Sequence, residues 1–430
     1  MSTICSFFLP DSIFAIDRVV KNPIEIIRLT HLWRKAELED SQIRIEYIKL
    51  KDLNDFARKT LTHLAFREVT PISLLRAQSQ TKNPHAHPED VVLLVAFHQN
   101  RCVAYHGLLP GLLKSHGNFS KVCWLVTFFV SPDYRHKGIG KLLVKDIQSL
   151  NIDLVTTGPT KAAEGVYRSM GLKPLGELPY MQLELERIHF LGSFFRSILD
   201  SRKNKKDGLN KFYIIFNNLE NWTYRMTKKI FYRTGFSLPN LEKKHIKYRL
   251  VPQLSGRFQS LMDFKPDLPL FFRGMKTLNW MLKHRWVVSK HEGINKAENY
   301  YFSMVRDIFR YIALEVYSAD EKSLKGFLIL SVSSKRSKRS IKILDYRFAD
   351  PGDYDIAAYF GLKYAKEFLA DRIEFPEPLA DFFINRLWLK RLVKKRKRLY
   401  LFSPSSDDSP LAVAAPKINL DYCDSDVAFT

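Results

Sequence analysis

Short apolar runs of strand length alternate with amphipathic segments through the first half of the chain. Clusters of β-branched and aromatic residues predict strands over 43–50, 90–97, 102–109, 121–130, 153–157 and 180–185. Helical spacing of apolar residues predicts helices over 52–68, 141–150 and about 160–170. Mixed strands and helices of these lengths predict a sheet domain of the α/β or α+β class.

The second half repeats the layout of the first. The segment 341–369 has the order strand, proline turn and helix, as does 124–150, and 370–391 parallels 152–174. Pro351 and Pro376 fall on Pro132 and Pro159 in nearly the same register. Two related sheet domains in tandem are therefore predicted, which suits a chain of 430 residues.

Composition narrows the class of protein. The four cysteines are widely scattered and without metal-ligand spacing, so we predict reduced thiols, no disulfide frame and no metal site. No apolar run reaches the roughly 18 residues of a membrane span, and the N-terminal segment lacks the features of a secretion signal, so we expect a cytoplasmic protein. The net charge of +23 favours an anionic partner.

The stretch VSPDYRHKGIGKLL, residues 130–143, joins a predicted strand to a predicted helix. Pro132 ends the strand, and Gly138 and Gly140 let backbone N–H groups approach a ligand at the positive end of the helix. A pyrophosphate suits such a turn. The spacing matches neither the P-loop nor the dinucleotide fingerprint, which argues against those nucleotide classes.

The order strand, V-x-P-x-x-R-x-x-G-x-G and amphipathic helix resembles the coenzyme A-binding motif of the GNAT acyltransferase family. Val130, Pro132, Arg135, Gly138 and Gly140 complete that motif. The family's second element, A-x-x-x-Y-x-x-x-G-[FL], is matched by residues 163–172. The resemblance covers about 43–187 and implies an acyl-CoA-dependent N-acyltransferase, with acetyl-CoA as the expected donor and an amine as the acceptor.

The resemblance also implies roles for individual residues. Tyr167 is expected to be the general acid for the departing thiolate. The predicted cofactor-binding residues are Phe128, Phe129, Val130, Arg135, His136, Lys137, Gly138, Ile139, Gly140, Lys141 and Thr160. Thr160 stands where the family often has asparagine, which puts the fine positioning of the cofactor in doubt. The general base is not obvious, and His106 and Glu68 are the candidates.

The second half lacks the cofactor turn, since Arg135, Gly138 and Gly140 have no counterparts there and Asp353 and Asp355 would repel a phosphate. It therefore resembles a degenerate GNAT-like domain, and the whole resembles bacterial tandem-GNAT proteins, some of which are associated with surface-polysaccharide synthesis. The predicted organisation is an N-terminal lead 1–42, a GNAT domain 43–190, a basic linker 191–248 and a second GNAT-like domain 249–430.

Three other functions stay open at this point. One is an aminoacyl transferase of the cell envelope, which would also use paired GNAT folds. Another is a non-catalytic scaffold or binding protein that has kept the turn. The third is nucleic-acid binding, which the charge permits but no recognised motif supports.

The basic segment 386–400 supplies much of the charge. If it is helical, Leu389, Leu392 and Val393 share one face and leave the cations outward. We predict that this surface meets anionic lipid headgroups or a polyanionic, lipid-linked acceptor at the cytoplasmic membrane, with nucleic acid as the less favoured partner. The end of the chain, 417–430, is predicted to form a last strand.

Overall fold

The computed structural model of the protein describes residues 43–185, 244–262, 268–292, 300–302, 304–335, 338–384 and 392–427. The predicted N-terminal lead lies outside the described residues. So do most of the predicted basic linker and the first part of the basic segment 386–400.

The first half contains six strands and four α-helices in its described part. The strands are β1 (Arg44–Lys49), β2 (Val91–His98), β3 (Arg101–Ser115), β4 (Asn118–Val130), β5 (Leu154–Thr157) and β6 (Lys173–Glu184). The helices are α1 (Leu53–Thr60), α2 (Leu74–Gln80), α3 (Ile139–Gln148) and α4 (Lys161–Ser169). The predicted strands are present, and the predicted helix over 52–68 ends eight residues early.

The second half repeats this order with additions. Its strands are β7 (Ile246–Val251), β8 (Leu270–Phe272), β9 (Val288–Ser289), β10 (Val305–Arg306), β11 (Ile308–Ser318), β12 (Leu324–Lys335), β13 (Lys338–Phe348), β14 (Arg372–Pro376) and β15 (Val393–Ser403). Its helices are α5 (Gln259–Met262), α6 (Met275–Lys283), α7 (Tyr354–Phe368), α8 (Ala380–Ile384) and α9 (Pro410–Ala414).

Thirteen of the described strands form one sheet. From the outer edge to the junction, the second half repeats the strand order of the first half, so equivalent strands stand at equal distances from the junction. The order is β1-β2-β3-β4-β5-β15-β6-β14-β13-β12-β11-β7, with β8 paired to β3. In each half one parallel pair, β4 with β5 or β13 with β14, interrupts antiparallel pairing. Each half then continues into the last strand of the other, because β15 pairs with β5 and β6 pairs with β14.

The helices that follow the two proline turns lie on the same face of this sheet. Met181 and Leu183 of β6 pack in the core beneath α7, and Leu401 of β15 packs in the core beneath α3 and α4. Side chains alternate along a strand, and the register between β6 and β15 places these residues on one side. We call this side the helix face and the other the opposite face, which α6 and the segment after β15 cover.

A buried charge network fixes the segment after β15 to the opposite face. Arg273 contacts the carboxylates of Asp345, Asp421 and Asp424, and Arg347 contacts Asp345 and Asp421. The side chains of Asp345 and Asp424 are fully buried, so the arginines supply the countercharge that such carboxylates require.

Two predictions about the C-terminal part of the chain are wrong. Residues 393–400 belong to β15 rather than to a helix, because their backbone pairs with β6, and Tyr400 pairs with β5 as well. Residues 418–427 contain turns and a single bridge, between Leu270 and Asn419, where a last strand was predicted. Their acidic side chains serve the charge network instead of a sheet.

Replacing Arg273 by methionine should lower the free energy of unfolding by about 3–5 kcal/mol, because it leaves buried carboxylates without their countercharge. Urea unfolding followed by circular dichroism measures this loss. Arg249→Met is the matched control, since Arg249 is exposed and pairs with Glu321, and it should cost less than about 1 kcal/mol. Equal losses in the two variants would contradict the role given to Arg273.

Candidate functional site

The first half has a cleft where β4 and β5 separate. Their parallel pairing consists of Cys123 with Leu154 and Trp124 with Val155. Just beyond, the hydroxyl of Thr156 donates to the carbonyl of Leu125 at 3.2 Å. No described strand pairs with the β5-facing edge of β4 over 128–130. That edge is therefore available to pair with an extended ligand.

A bulge in β4 sets the direction of this edge. The register with β3 shifts between Tyr105 and Gly107, and Thr127 has a φ of 47°. A side chain at Gly107 would meet the hydroxyl of Thr127, since a Cβ built there lies 2.4 Å from its oxygen. Glycine at 107 therefore accommodates the bulge that turns Phe128 toward the helix face.

The glycine turn forms the mouth of the cleft. After a 3-10 turn over Pro132–Tyr134, His136 and Gly138 adopt left-handed φ values of 62° and 82°, and Gly138 is the N-cap of α3. The first backbone bond of the helix runs from the N–H of Leu142 to the carbonyl of Gly138. The N–H groups before it have no intrahelical acceptor and can bind an anion.

The cleft has a volume of about 1720 Å³ and contains every residue that the sequence predicts for cofactor binding. These residues are Phe128, Phe129, Val130, Arg135, His136, Lys137, Gly138, Ile139, Gly140, Lys141 and Thr160. Ile139 is buried and anchors the turn in the core, so only its backbone faces a ligand. The free N–H groups, the cations and the open strand edge fit a pyrophosphate joined to an extended arm, as in coenzyme A.

His106 and Tyr167 form a buried pair beside the cleft. The Nε2 atom of His106 lies 2.9 Å from the hydroxyl of Tyr167, and its Nδ1 atom lies 3.1 Å from the carbonyl of Gly107. Since a carbonyl only accepts, Nδ1 carries the proton, and the tyrosine hydroxyl donates to Nε2. Phe128, which lines the cleft, stacks on the histidine ring with centroids 4.7 Å apart.

Burial determines the charge state of both groups. Burial lowers the pKa of His106 to about 4. Hydrogen bonds to the carbonyls of Gly107 and Val126 favour the charged ring and oppose this shift, but burial outweighs them. Burial raises the pKa of Tyr167 well above its ordinary value, and the nearby hydroxyl of Thr156 acts in the opposite direction. At neutral pH the pair is therefore an uncharged histidine and a protonated tyrosine.

The other two residues singled out by sequence have different surroundings. The hydroxyl of Thr160 accepts from the N–H of Ala163 at 3.3 Å, so it caps α4 at the wall of the cleft. Glu68 is exposed, lies 3.7 Å from Arg101 and is not among the residues that line the cleft. The structure therefore brings Thr160 to the site and leaves Glu68 outside it.

The second half contributes aromatic side chains to the cleft. Tyr301 and Phe302 line it, and Tyr301 packs on Phe129 with centroids 4.9 Å apart. Neither residue was predicted, because a gap of more than 170 positions separates them from Phe129 and leaves no local sequence pattern that indicates the contact.

An ion pair on the opposite face was also missed. The guanidinium of Arg76 is buried over the ring of Trp286 at 3.9 Å and lies 3.7 Å from the carboxylate of Asp426. Burial is the main cause of the raised pKa of Tyr167, and the negative charge of Asp426 adds to it.

The equivalent turn of the second half is closed by an ion pair. The ammonium of Lys244 lies 3.1 Å from Asp353 and 2.7 Å from Asp355, and it donates to the carbonyl of Gly352. Burial lowers the pKa of Lys244, but the hydrogen bonds to the two aspartates outweigh it and the pKa is raised. Two carboxylates thus stand at the position that an anion would need.

Comparison with known families agrees with the geometry of the first half. Residues 89–174 match the family described as acetyltransferase (GNAT) domain. These residues form a GNAT domain. The match contains the β4 bulge and the glycine turn, and it ends just after α4. Among curated proteins, none matches the sequence.

Solved structures with a similar fold share little sequence with this chain. A GCN5-related N-acetyltransferase from Anabaena variabilis is 9% identical, with 85% of this chain and 73% of that chain covered and a TM-score of 0.46. N-myristoyltransferase from Saccharomyces cerevisiae with bound myristoyl-CoA is 12% identical, with 85% of each covered and a TM-score of 0.44. A tandem GNAT protein from the clavulanic acid biosynthesis pathway is 11% identical, with 85% and 99% covered and a TM-score of 0.42.

The fold class predicted from the sequence is confirmed: the protein has a mixed α/β fold with two GNAT-like units in tandem. Three features are common to the two halves: the order of strands, one parallel pair of strands, and a helix after the proline turn.

Valine at both Gly138 and Gly140 should weaken coenzyme A binding by at least about tenfold, the loss expected when charge-assisted hydrogen bonds are removed. Gly138 needs a left-handed φ, and a Cβ at Gly140 would lie 2.9 Å from the ring of Phe128. Calorimetry with coenzyme A measures the change. Gly352→Ala, in the equivalent turn of the second half, is the control and should bind as wild type does. Unchanged affinity in the double variant would refute the assignment of the turn.

Proposed function

We propose that the protein is an acyl-CoA-dependent N-acyltransferase that uses acetyl-CoA and acts on an amine. The observation that carries this proposal is the position of one buried pair. His106 and Tyr167 lie against Phe128, on the edge of β4 that the glycine turn leads to. An anion-binding turn and an open strand edge thus lead to Phe128, and the buried pair lies behind its ring.

Each part of the cleft has a distinct task in donor binding. The N–H groups of the turn and the side chains of Arg135 and Lys141 hold the pyrophosphate, while the backbone of 128–130 pairs with the pantetheine arm. When bound, the donor supplies a thioester whose carbonyl carbon is open to attack by a neutral amine. Holding the two reactants together accounts for much of the rate enhancement in such transfers.

Tyr167 is the proposed proton donor for the departing sulfur. Its raised pKa keeps the hydroxyl protonated, and the hydrogen bond to Nε2 of His106 fixes the position of its oxygen until the proton turns to the sulfur. The proton that the attacking amine loses then restores the hydroxyl. A pKa of about 4 makes His106 a weak base at neutral pH, and its Nε2 lone pair already accepts from Tyr167. These facts favour a positioning role for His106 over its predicted role as general base.

The domain organisation follows from this division of tasks. We propose that residues 43–190 form the catalytic domain and that 249–430 form a second domain, which shapes the acceptor side through Tyr301 and Phe302.

The resemblance to bacterial tandem-GNAT proteins supports a role in surface-polysaccharide or envelope synthesis. A cytoplasmic location with peripheral contact at an anionic membrane stays a prediction from charge, and no described helix is long and apolar enough to cross a bilayer.

Phenylalanine at Tyr167 should lower turnover about a hundredfold, the usual contribution of a positioned general acid, and leave coenzyme A affinity unchanged. Release of free thiol from acetyl-CoA, followed with a panel of amino sugars, polyamines, amino-terminal peptides and aminoacyl compounds, measures turnover. Tyr134→Phe is the control, because Tyr134 lines the cleft itself and bonds His98 instead of the buried pair.

Two outcomes would refute the proposal. Wild-type protein that binds coenzyme A but releases no thiol with any amine class would be a binding or scaffold protein. Equal turnover in Tyr167→Phe and wild type would remove Tyr167 from the chemistry. Transfer of an aminoacyl group without release of thiol from acetyl-CoA would instead point to the aminoacyl transferase class.

A further inference from the structure

The opposite face of the sheet carries a row of polar residues where the two halves meet. Lys342 of β13 is paired in register with Glu374 of β14, which is paired with Gln182 of β6, which is paired with Lys394 of β15. Residues in register on neighbouring strands lie side by side on the same face. The row therefore spans the junction on the side away from α3 and α7.

One buried carboxylate lies at the centre of this row. Oε1 of Glu374 accepts from the amide of Gln182 at 3.0 Å and lies 3.2 Å from Nε of Arg372, and Oε2 accepts from the hydroxyl of Tyr422 at 2.9 Å. Both oxygens are thus engaged by groups of the protein. Burial alone would raise the pKa of Glu374, but Lys342 and Arg372 lower it below its ordinary value, so the carboxylate is ionised at neutral pH.

Lys342 and Arg372 act on the carboxylate of Glu374, and three arginines act on Lys342. Burial lowers the pKa of Lys342, Glu374 opposes that shift, and Arg398, Arg372 and Arg306 add to it. We call Arg306, Lys342, Arg372 and Arg398 the cationic cluster. A fall in the pKa of a lysine beside a carboxylate shows that burial and the like charges together outweigh the attraction.

Arg306 is the least satisfied member of the cluster. Its Nε atom is buried and has no hydrogen-bond partner in the described part of the chain. Burial lowers its pKa, and repulsion from Arg372 lowers it further. A buried guanidinium donor without an acceptor is costly, so an acceptor from outside the protein would be bound favourably.

Neighbouring carboxylates are already paired with other cations. Asp307, which also attracts Arg306, contacts the ammonium of Lys290, and Glu184 lies 2.8 Å from that of Lys394. Among the described residues, the cluster therefore has four cations and one buried carboxylate of its own. This surplus of positive charge is the property of an anion-binding site.

We propose that the cationic cluster binds the anionic part of the acceptor, a phosphate- or carboxylate-bearing group carried by the same molecule as the amine. The inference rests on the proposed N-acyltransferase function, because it assigns a substrate class to that reaction. Binding of an anionic group explains why so many cations lie together at the junction of the two halves.

The cluster lies next to the wall of the donor cleft. The backbone N–H of Gly158 donates to the carbonyl of Leu399 at 2.8 Å, and a Cβ built on Gly158 would lie 3.4 Å from the Cγ atom of Arg398. Two residues after Gly158, Thr160 lines the donor cleft. Arg398 is the member of the cluster that these contacts place next to the cleft, separated from it by the end of β5.

The side chain of Arg398 is itself held in place for this role. Its Nη1 atom donates to the carbonyl of Tyr422 at 2.7 Å, and its guanidinium lies over the rings of Tyr180 and Tyr422 at 5.3 and 4.8 Å. Stacking leaves the other guanidinium N–H groups in a fixed plane, which suits recognition of phosphate or carboxylate oxygens.

The test compares phosphate and citrate as probes of the full chain. Each is added at constant ionic strength, and the midpoint of thermal unfolding and the calorimetric affinity are measured with and without saturating coenzyme A. The variants are Arg306→Gln alone and Arg306→Gln with Lys342→Gln. The matched control removes two exposed, paired lysines elsewhere, Lys247→Gln with Lys397→Gln.

In the wild type and the control, the favoured anion should raise the unfolding midpoint. The larger of the two shifts, with phosphate or with citrate, identifies the group that the site prefers. The double variant should bind it about ten- to a hundredfold more weakly, the effect of losing charge-assisted hydrogen bonds. Without added anion, Arg306→Gln should unfold at a temperature equal to or above that of wild type, because repulsion within the cluster falls.

The proposal is overturned if both probes stabilise the double variant as much as wild type, or if neither stabilises wild type. A clearly lower midpoint for Arg306→Gln without anion would also overturn it, since the arginine would then be structural. Coenzyme A affinity, measured on the same proteins, should be unchanged in all variants. Failure of the wild type to bind coenzyme A would refute the donor site. The anion comparison would then still show whether the cationic cluster binds an anion.

Discussion

The pairing of β6 with β15 is the interaction on which the rest of the structure depends. These two strands lie side by side from Val393 opposite Leu183 to Phe402 opposite Lys173, and each also pairs with a strand of the other half. Because each half ends in the sheet of the other, neither has a free edge at the junction. The exchange makes one sheet of two repeats. It also fixes both helix pairs on one face and leaves the other for the C-terminal segment and the cationic cluster.

The same scaffold carries two different turns, and the difference between them is electrostatic. In the first half, glycines and cations surround the N-terminus of α3, and its free N–H groups point into a cleft. In the second half, Asp353 and Asp355 stand at the corresponding place and are neutralised by Lys244. A pyrophosphate would have to displace an internal ion pair there and face two carboxylates. Both halves thus have the same fold, but only the turn of the first half has the charges and free N–H groups that suit an anion.

Local patterns predicted the parts of the protein that depend on local residues. Gly138 and Gly140 indicated the turn because a left-handed φ and a close approach to Phe128 both require glycine, and Pro351 indicated the repeat because it opens the same turn as Pro132. Contacts between distant segments were beyond such patterns. The approach of Tyr301 to Phe129 and of Asp426 to Arg76 depends on how the two halves are joined, which no local spacing records. Residues 393–400 were misinterpreted for a related reason: a strand can carry many cations when carboxylates such as Glu177 and Glu377 lie next to them.

The central claim is that the chain binds one acyl-CoA, in its first half. Native mass spectrometry of the full chain with increasing coenzyme A tests it most directly, because it counts bound molecules without a known acceptor. The account predicts a single bound coenzyme A per chain at saturation, and none when Gly138 and Gly140 are both valine. Two molecules per chain, or one that persists in the double variant, would show that the second half binds the cofactor and would contradict the account.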